Sequence, residues 1–236
     1  MRFKSLPLAL MALTVFSTGA AASSITYGTP AGSQQSGQPV NATAAFTTND
    51  NGTISITLTN LEANPTTVAQ NISDLLFTLS NGTTTSASLT SSSGQDITIN
   101  DDGSSTLGST GSTGWGLDAS PLGTIHLDDL GFDGPEHTII GPGPYTDAKG
   151  SIAGNGPHNP FINQVATFAL SVPGVTSNTT ITGVTFSFGT VSGSDTTGTC
   201  ISGCTPPPPP VPEPASLTLL GSGLVALGAR LRRKKA

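Results

Sequence analysis

Short apolar stretches that alternate strictly with polar residues, each closed by a turn-forming cluster, constrain this chain more than anything else in it. Val40, Ala42, Ala44 and Phe46 alternate with polar neighbours. Ile54, Ile56 and Leu58 do the same after Asn49, Asp50, Asn51 and Gly52. A period of two places one set of side chains on one face of a strand, and Asn-Gly chemistry suits the tight turn between strands. The pattern recurs at Leu75, Phe77 and Leu79, followed by Asn81-Gly82, and again at Ala166, Phe168, Leu170 and Val172 and at Val184, Phe186 and Phe188. Residues 87–90, 97–99, 125–130 and 137–140 are shorter strand candidates. About eight or nine strands at this spacing predict an all-β fold, an antiparallel β-sandwich over residues 39–199. Its alternating apolar residues carry packing.

Three stretches lack that signal. Residues 23–38 read as an N-terminal lead-in. Residues 65–74 have the composition of one short helix. Residues 101–121, rich in Gly, Ser and Thr, read as a loop around Trp115, the only tryptophan. Trp115 suits a buried anchor, with a sugar-stacking platform as the alternative. The loop 146–161 is dense in Gly, Pro and Asn, which makes it either a shaped crossover or a binding loop.

Charge narrows the partners. Of eight Lys and Arg residues, only Lys149 lies between residues 23 and 212. One lysine against the 13 acidic residues of that stretch leaves it formally at −12, twice the −6 of the whole chain. Such a body has no basic footprint for phosphate, so a nucleic-acid partner is excluded. An acidic surface favours solubility, cations or basic partners.

Chemistry-bearing residues are few. Asp128, Asp129, Asp133 and Glu136 lie close together with Gly131 and Gly134 between them and His137 after them. Hard oxygen ligands on a glycine-bearing loop suit calcium, although the spacing is not that of an EF-hand; solvated loop acids are the alternative. His126, His137 and His158 have no paired zinc spacing. Cys200 and Cys204 are the only cysteines, and in an exported chain they suit a small-loop disulfide. No Gly-x-Ser-x-Gly elbow is present and no serine has a recognisable base and orienting acid, so no catalytic residues are assigned and the chain is expected not to be an enzyme. Five Asn-x-Ser/Thr triplets begin at Asn41, Asn51, Asn71, Asn81 and Asn178.

Both ends carry addresses. Residues 1–22 have a charged start (Arg2, Lys4), an apolar middle from Leu6 to Phe16 and small residues at Ala20, Ala21 and Ala22, the pattern of a secretory signal peptide. At the other end, residues 200–210 form a Cys/Pro-rich spacer and residues 211–236 a sorting and anchoring segment. Seven prolines lie within residues 205–214. A polyproline stretch of that length reaches roughly 30 Å. Residues 214–231 are barely long enough for a transmembrane helix, which needs about 20 residues and at least roughly 17. Arg230, Arg232, Arg233, Lys234 and Lys235 form the cytoplasmic stop.

The order Pro212, Glu213, Pro214, apolar helix and basic run resembles the PEP-CTERM sorting signal of Gram-negative bacteria. That tail also carries an older label, ice-binding protein C-terminal domain, which names no ligand for the body. The resemblance implies recognition of Pro212, Glu213 and Pro214 by a membrane-embedded exosortase, transient anchoring, and delivery to the cell surface or matrix alongside exopolysaccharide. The phrase from Gly150 to Phe161 is similar to a module of uncharacterised exported PEP-CTERM proteins, which implies class and address only. The expected protein is exported, surface- or matrix-associated and non-enzymatic. The alternative is a carbohydrate- or calcium-binding adhesive module, and a secreted hydrolase stands third.

Overall fold

The structure, a computed structural model, describes residues 22–82, 86–118, 123–153, 156–191 and 195–204. Residues 1–21 of the expected signal peptide 1–22, and residues 205–236 of the expected spacer and tail, lie outside these. The described chain is all-β. In order it forms β1 (Ala22–Gly28), β2 (Gln34–Gln35), β3 (Gln38–Pro39), β4 (Ala42–Asn49), β5 (Thr53–Asn60), β6 (Ile72–Leu79), β7 (Ser88–Ile99) and β8 (Ser105–Gly111). These are followed by β9 (Gly116–Asp118), β10 (Thr124–Asp128), β11 (Ile139–Ile140), β12 (Phe161–Ser171), β13 (Ile181–Phe188), β14 (Asp195–Thr197) and β15 (Thr199–Ser202).

Thirteen strands share one hydrogen-bonded network, and β2 and β3 form a separate hairpin. The network has two antiparallel halves. One runs β9-β10-β6-β13-β14 and the other β8-β7-β12-β5-β4-β1-β15. The short β11 joins them, pairing antiparallel with β6 at Ile72 and parallel with β12 at Ile162 and Asn163. The halves pack against each other in a sandwich-like manner. Phe46 of β4 meets Phe77 of β6 at 4.9 Å between ring centroids. The Tyr27 hydroxyl of β1 donates to the Ile181 carbonyl of β13 at 2.8 Å. The expected all-β class is present, but the expected antiparallel sheet is corrected to a mixed one. The long crossover from β11 to β12 is what permits a parallel pair, which a tight turn cannot make.

The alternating residues are the core. Ala42, Ala44 and Phe46 of β4, Ile54, Ile56 and Leu58 of β5, and Ala166, Phe168 and Leu170 of β12 are all buried in one cluster that reaches both halves. Burying each large side chain contributes about 1.5–3 kcal/mol relative to exposure. The β4–β5 turn forms as its composition predicts. Gly52 takes φ +78°, and the Asn51 side chain accepts from the Thr53 hydroxyl at 2.7 Å.

Four readings from the sequence are corrected. The lead-in is not loose: β1 lies between β4 and β15. Residues 87–90 and 97–99 are two ends of one strand, β7, because β12 and β8 on either side supply its ladder through a polar middle. Gly94 in that middle lies against the Ile162 side chain, with no room for a Cβ. Within residues 101–121, β8 is a strand exposed along its whole length. With no buried face it has no alternation to read. The helix expected at residues 65–74 is one 3-10 turn, Val68–Gln70, capped reciprocally by Thr67 and Gln70. Ile72 to Asp74 are already in β6.

The Gly150 to Phe161 loop is the crossover. Ile152, Ala153 and Phe161 are buried with Val68, Ile97, Ile99, Ile140, Tyr145 and Ala148 in a satellite core beneath it. The Asn159 side chain accepts from the Ile99 amide at 3.1 Å and donates to the Ile152 carbonyl at 3.2 Å. Among the described residues no helix is long and apolar enough to cross a membrane. The segment expected to do so, residues 214–231, lies outside them.

Candidate functional site

The acidic segment predicted as a calcium loop begins where β10 ends. β10 pairs with β6 so that Asp128 faces Asp74 across the ladder. Alternation then sends Asp128 outward and Asp129 inward. The Asp129 amide donates to the Ser73 carbonyl at 3.1 Å, continuing the pairing by one residue. The Asp129 carbonyl in turn accepts from the amides of Phe132, Asp133 and Gly134, which rolls residues 129–134 into a tight loop.

The four carboxylates diverge within that loop. Asp128 Oδ2 accepts from the Gly131 amide at 3.0 Å. Asp133 is half-exposed and bonds His137 Nδ1. His137 Nε2 lies 3.8 Å from Asp96 Oδ1. Asp129 is fully buried, and neither of its carboxylate oxygens has a hydrogen-bond partner. Burial pushes its carboxyl up to about 9, with Asp133, Asp128 and Glu136 adding repulsion. Among the described residues no group of three or more acidic, histidine or cysteine side chains converges on a metal-sized point. The four predicted ligands therefore share a loop without sharing a coordination centre.

A second cluster was not legible in the sequence. On the outward face His126 Nε2 lies 3.0 Å from Asp74 Oδ2, and His126 Nδ1 lies 3.6 Å from Asp118 Oδ2. The Asp74 hydrogen bond holds the imidazole proton and raises the His126 pKa, against the opposing effect of burial. Burial also raises the Asp128 pKa. Asp74 is 52 residues from His126 in sequence and Asp118 lies on a different strand. Only the β6–β10–β9 register brings them together.

Other predicted residues have clear places. Trp115 is buried, packs on Phe168 at 5.3 Å and donates from Nε1 to the His137 carbonyl at 3.0 Å. It is a core anchor that fastens the acidic loop to the sandwich. Asp133 and Phe132 press so closely on Gly114 and Gly116 that neither glycine has room for a Cβ. Cys200 and Cys204 form a disulfide, with Cα atoms 5.7 Å apart. Cys200 belongs to β15 rather than to a spacer, which corrects the expected boundary. Of the Asn-x-Ser/Thr triplets, Asn71 is fully buried and its side chain donates to Thr138 Oγ1 at 3.2 Å, so it is closed to modification in the folded chain. Pro212, Glu213, Pro214 and the basic run Arg230, Arg232, Arg233, Lys234 and Lys235 lie outside the described residues.

Comparison with known families adds one result. The C-terminal segment matches the PEP-CTERM protein-sorting motif at residues 210–234. That motif defines a class of exported proteins addressed to an exosortase through a membrane-associated tail. This chain carries the motif, with Pro212, Glu213 and Pro214 at its start. No curated protein and no solved structure matches the chain.

Proposed function

We propose that the protein is an exported, non-enzymatic surface or matrix component of a Gram-negative bacterium, associated with exopolysaccharide. The signal peptide at residues 1–22 exports it. The tail holds it briefly at the membrane while an exosortase acts at Pro212, Glu213 and Pro214. The observation that carries this reading is the sorting motif at residues 210–234. Its physical features suit the task. Prolines on both sides of Glu213 keep the motif extended and open to a processing enzyme. A span barely long enough to cross suits a temporary anchor. The acidic body, with its single lysine, suits solubility in a hydrated matrix.

Replacing Glu213 by Gln or Ala is expected to block processing and to leave a longer, membrane-bound species. Fractionation and blotting of both forms in the parent organism reads this directly. If the variant and the parent migrate and fractionate alike, the sorting reading is wrong.

A second reading, a calcium- or carbohydrate-binding adhesive module, is favoured by one observation, the buried and unpartnered Asp129 carboxylate. Calcium-dependent thermal stabilisation of the body separates it from a purely passive matrix component.

A further inference from the structure

The turn between β7 and β8 closes on itself and leaves one acid over. The Asn100 amide donates to the Ser104 carbonyl at 2.9 Å, and the Gly103 amide to the Asn100 carbonyl at 2.9 Å. Asp102 Oδ1 accepts from the Ser104 hydroxyl at 2.6 Å and from its amide at 2.9 Å. Asn100 Nδ2 donates to Ser104 Oγ at 3.0 Å. The Asp101 carboxylate takes no part in these bonds. Asp101 lines, with Thr98, Ile99, Asn100, Gly156 and Asn159, an open cavity of about 340 Å³ between this turn and the crossover.

The walls of the cavity are fixed. Asn159 ties the crossover to β7 through the Ile99 amide. Ile99 is buried in the satellite core with Ile152, Tyr145 and Phe161. Gly103 lies against the Tyr145 carbonyl with no room for a Cβ, which holds the turn on the same core. The cavity is also well placed. β15 runs antiparallel to β1 toward the end of the sheet where Ala22 faces Asn49, so the tail leaves beside the β4–β5 turn. β12 begins at the opposite end, where Phe161 faces Ile97, and the cavity lies there. Anchoring by the tail therefore leaves it open.

Its chemistry selects a ligand. The lining holds one carboxylate, one hydroxyl and two side-chain amides over the edge of Ile99, and no Lys, Arg or His. Asn159 is committed to Ile99 and Ile152, and Asn100 keeps its oxygen as the free end. Anions are repelled by Asp101 and by the acidic body. A bare metal ion finds one carboxylate in a space of roughly ten water volumes, too few ligands and too much room. Apolar molecules would strand the polar lining. A compact molecule with several hydroxyls and one positive charge meets every group, and a cavity near the small end of the usual range of about 300–1,000 Å³ suits a single ring.

We propose that this cavity binds an amino-sugar residue of a polysaccharide, with its ammonium on Asp101 and its hydroxyls on Thr98 and Asn100. The proposal deepens the carbohydrate-binding reading and rests on it; the sorting motif does not enter. An open site for one ring binds weakly, on the order of 1 mM, and a polymer that engages many anchored copies is held far more tightly.

The test uses the full-length protein, purified from membranes in mild detergent. Equilibrium dialysis at pH 6 compares a radiolabelled tetrasaccharide of β-1,4-linked glucosamine with its fully N-acetylated form. The amine is expected to bind saturably and at least about tenfold more tightly than the acetylated form, because a charge-assisted bond is lost on acetylation. Asp101→Asn is expected to weaken amine binding at least about tenfold, and Thr98→Val about threefold. Asp147→Asn removes the same charge from an exposed position elsewhere and is expected to leave binding intact. Circular dichroism checks folding, and Thr98→Val carries the test if Asp101→Asn does not fold. Parental binding by both cavity variants overturns the site and leaves the carbohydrate reading standing. Equal losses in Asp101→Asn and Asp147→Asn also overturn it, since they mean diffuse attraction to an acidic body. Equal affinity for the two sugars overturns the amino-sugar assignment, and no saturable binding of either overturns the site and the carbohydrate reading together.

Discussion

His126 shows how a single residue in this fold acquires a property chiefly from a residue distant in sequence. Asp74, Asp118 and Asp128 surround its imidazole, and the Asp74 hydrogen bond leads in raising its pKa. A histidine whose folded pKa lies above the unfolded value of about 6.5 stabilises the fold fully below that value. The contribution is lost as pH rises through the higher, folded pKa. Melting temperature is therefore expected to fall from pH 6 towards pH 8.5, and His126→Gln to flatten part of that fall. Asp128 and Asp129, whose folded pKa values are also raised, act in the same direction, so the difference between parent and variant is the informative quantity. Equal slopes in parent and variant would remove His126 from the account. Asp129 makes the complementary point. Its place in the acidic run was evident in sequence, but its inward direction was not, because the end of β10 decides which of two consecutive aspartates enters the core.

At the scale of elements, strands announce themselves only where they have one dry face. β4, β5, β12 and β13 do, and their alternation was readable. β8 is exposed throughout and the middle of β7 is polar, so neither shows a period, although both are firmly laddered. β1 and β15 close the N- and C-terminal ends of the described chain on each other, with Tyr27 opposite Cys200 and Thr26 opposite Ser202. The Cys200–Cys204 disulfide lies at the end of that pairing, just before the spacer. A loop this short constrains little unfolded-chain entropy, about 2 kcal/mol in the loop-closure treatment. Replacing both cysteines by serine is therefore expected to lower stability by no more than about that amount in denaturant unfolding. A much larger loss would show that the disulfide holds β15, and with it β1, in the sheet.

For the whole molecule, the charge that matters is that of the body, formally −12, and not the −6 of the chain. The basic residues that mask it lie almost entirely in the signal and the tail. Self-repulsion of a compact, single-sign body destabilises it, and salt screens that repulsion, with a Debye length of about 30 Å at 0.01 M and about 8 Å at 0.15 M. Melting temperature in the presence of EGTA is expected to rise as NaCl is increased across this range. A fall would mean that local pairs such as His126–Asp74 outweigh the global field. In the proposed role, the same charge keeps the exported body soluble while the tail alone deals with the membrane.

The linear sequence determined what depends on neighbouring residues. The signal peptide pattern, the Pro-Glu-Pro motif with its apolar and basic partners, the hairpin turn at Asn51-Gly52 and the half-buried strands all rest on local chemistry and short periods. Tertiary structure alone decided what depends on register and crossover. It set the parallel insertion of β11 between the halves, the meeting of His126 with Asp74 and Asp118, and the burial of Asp129 opposite Ser73. A shift of one residue in the β6–β10 pairing would exchange every inward and outward side chain along it. No local pattern specifies that choice; the packing of Leu75, Phe77, Ile125 and Leu127 in the shared core does.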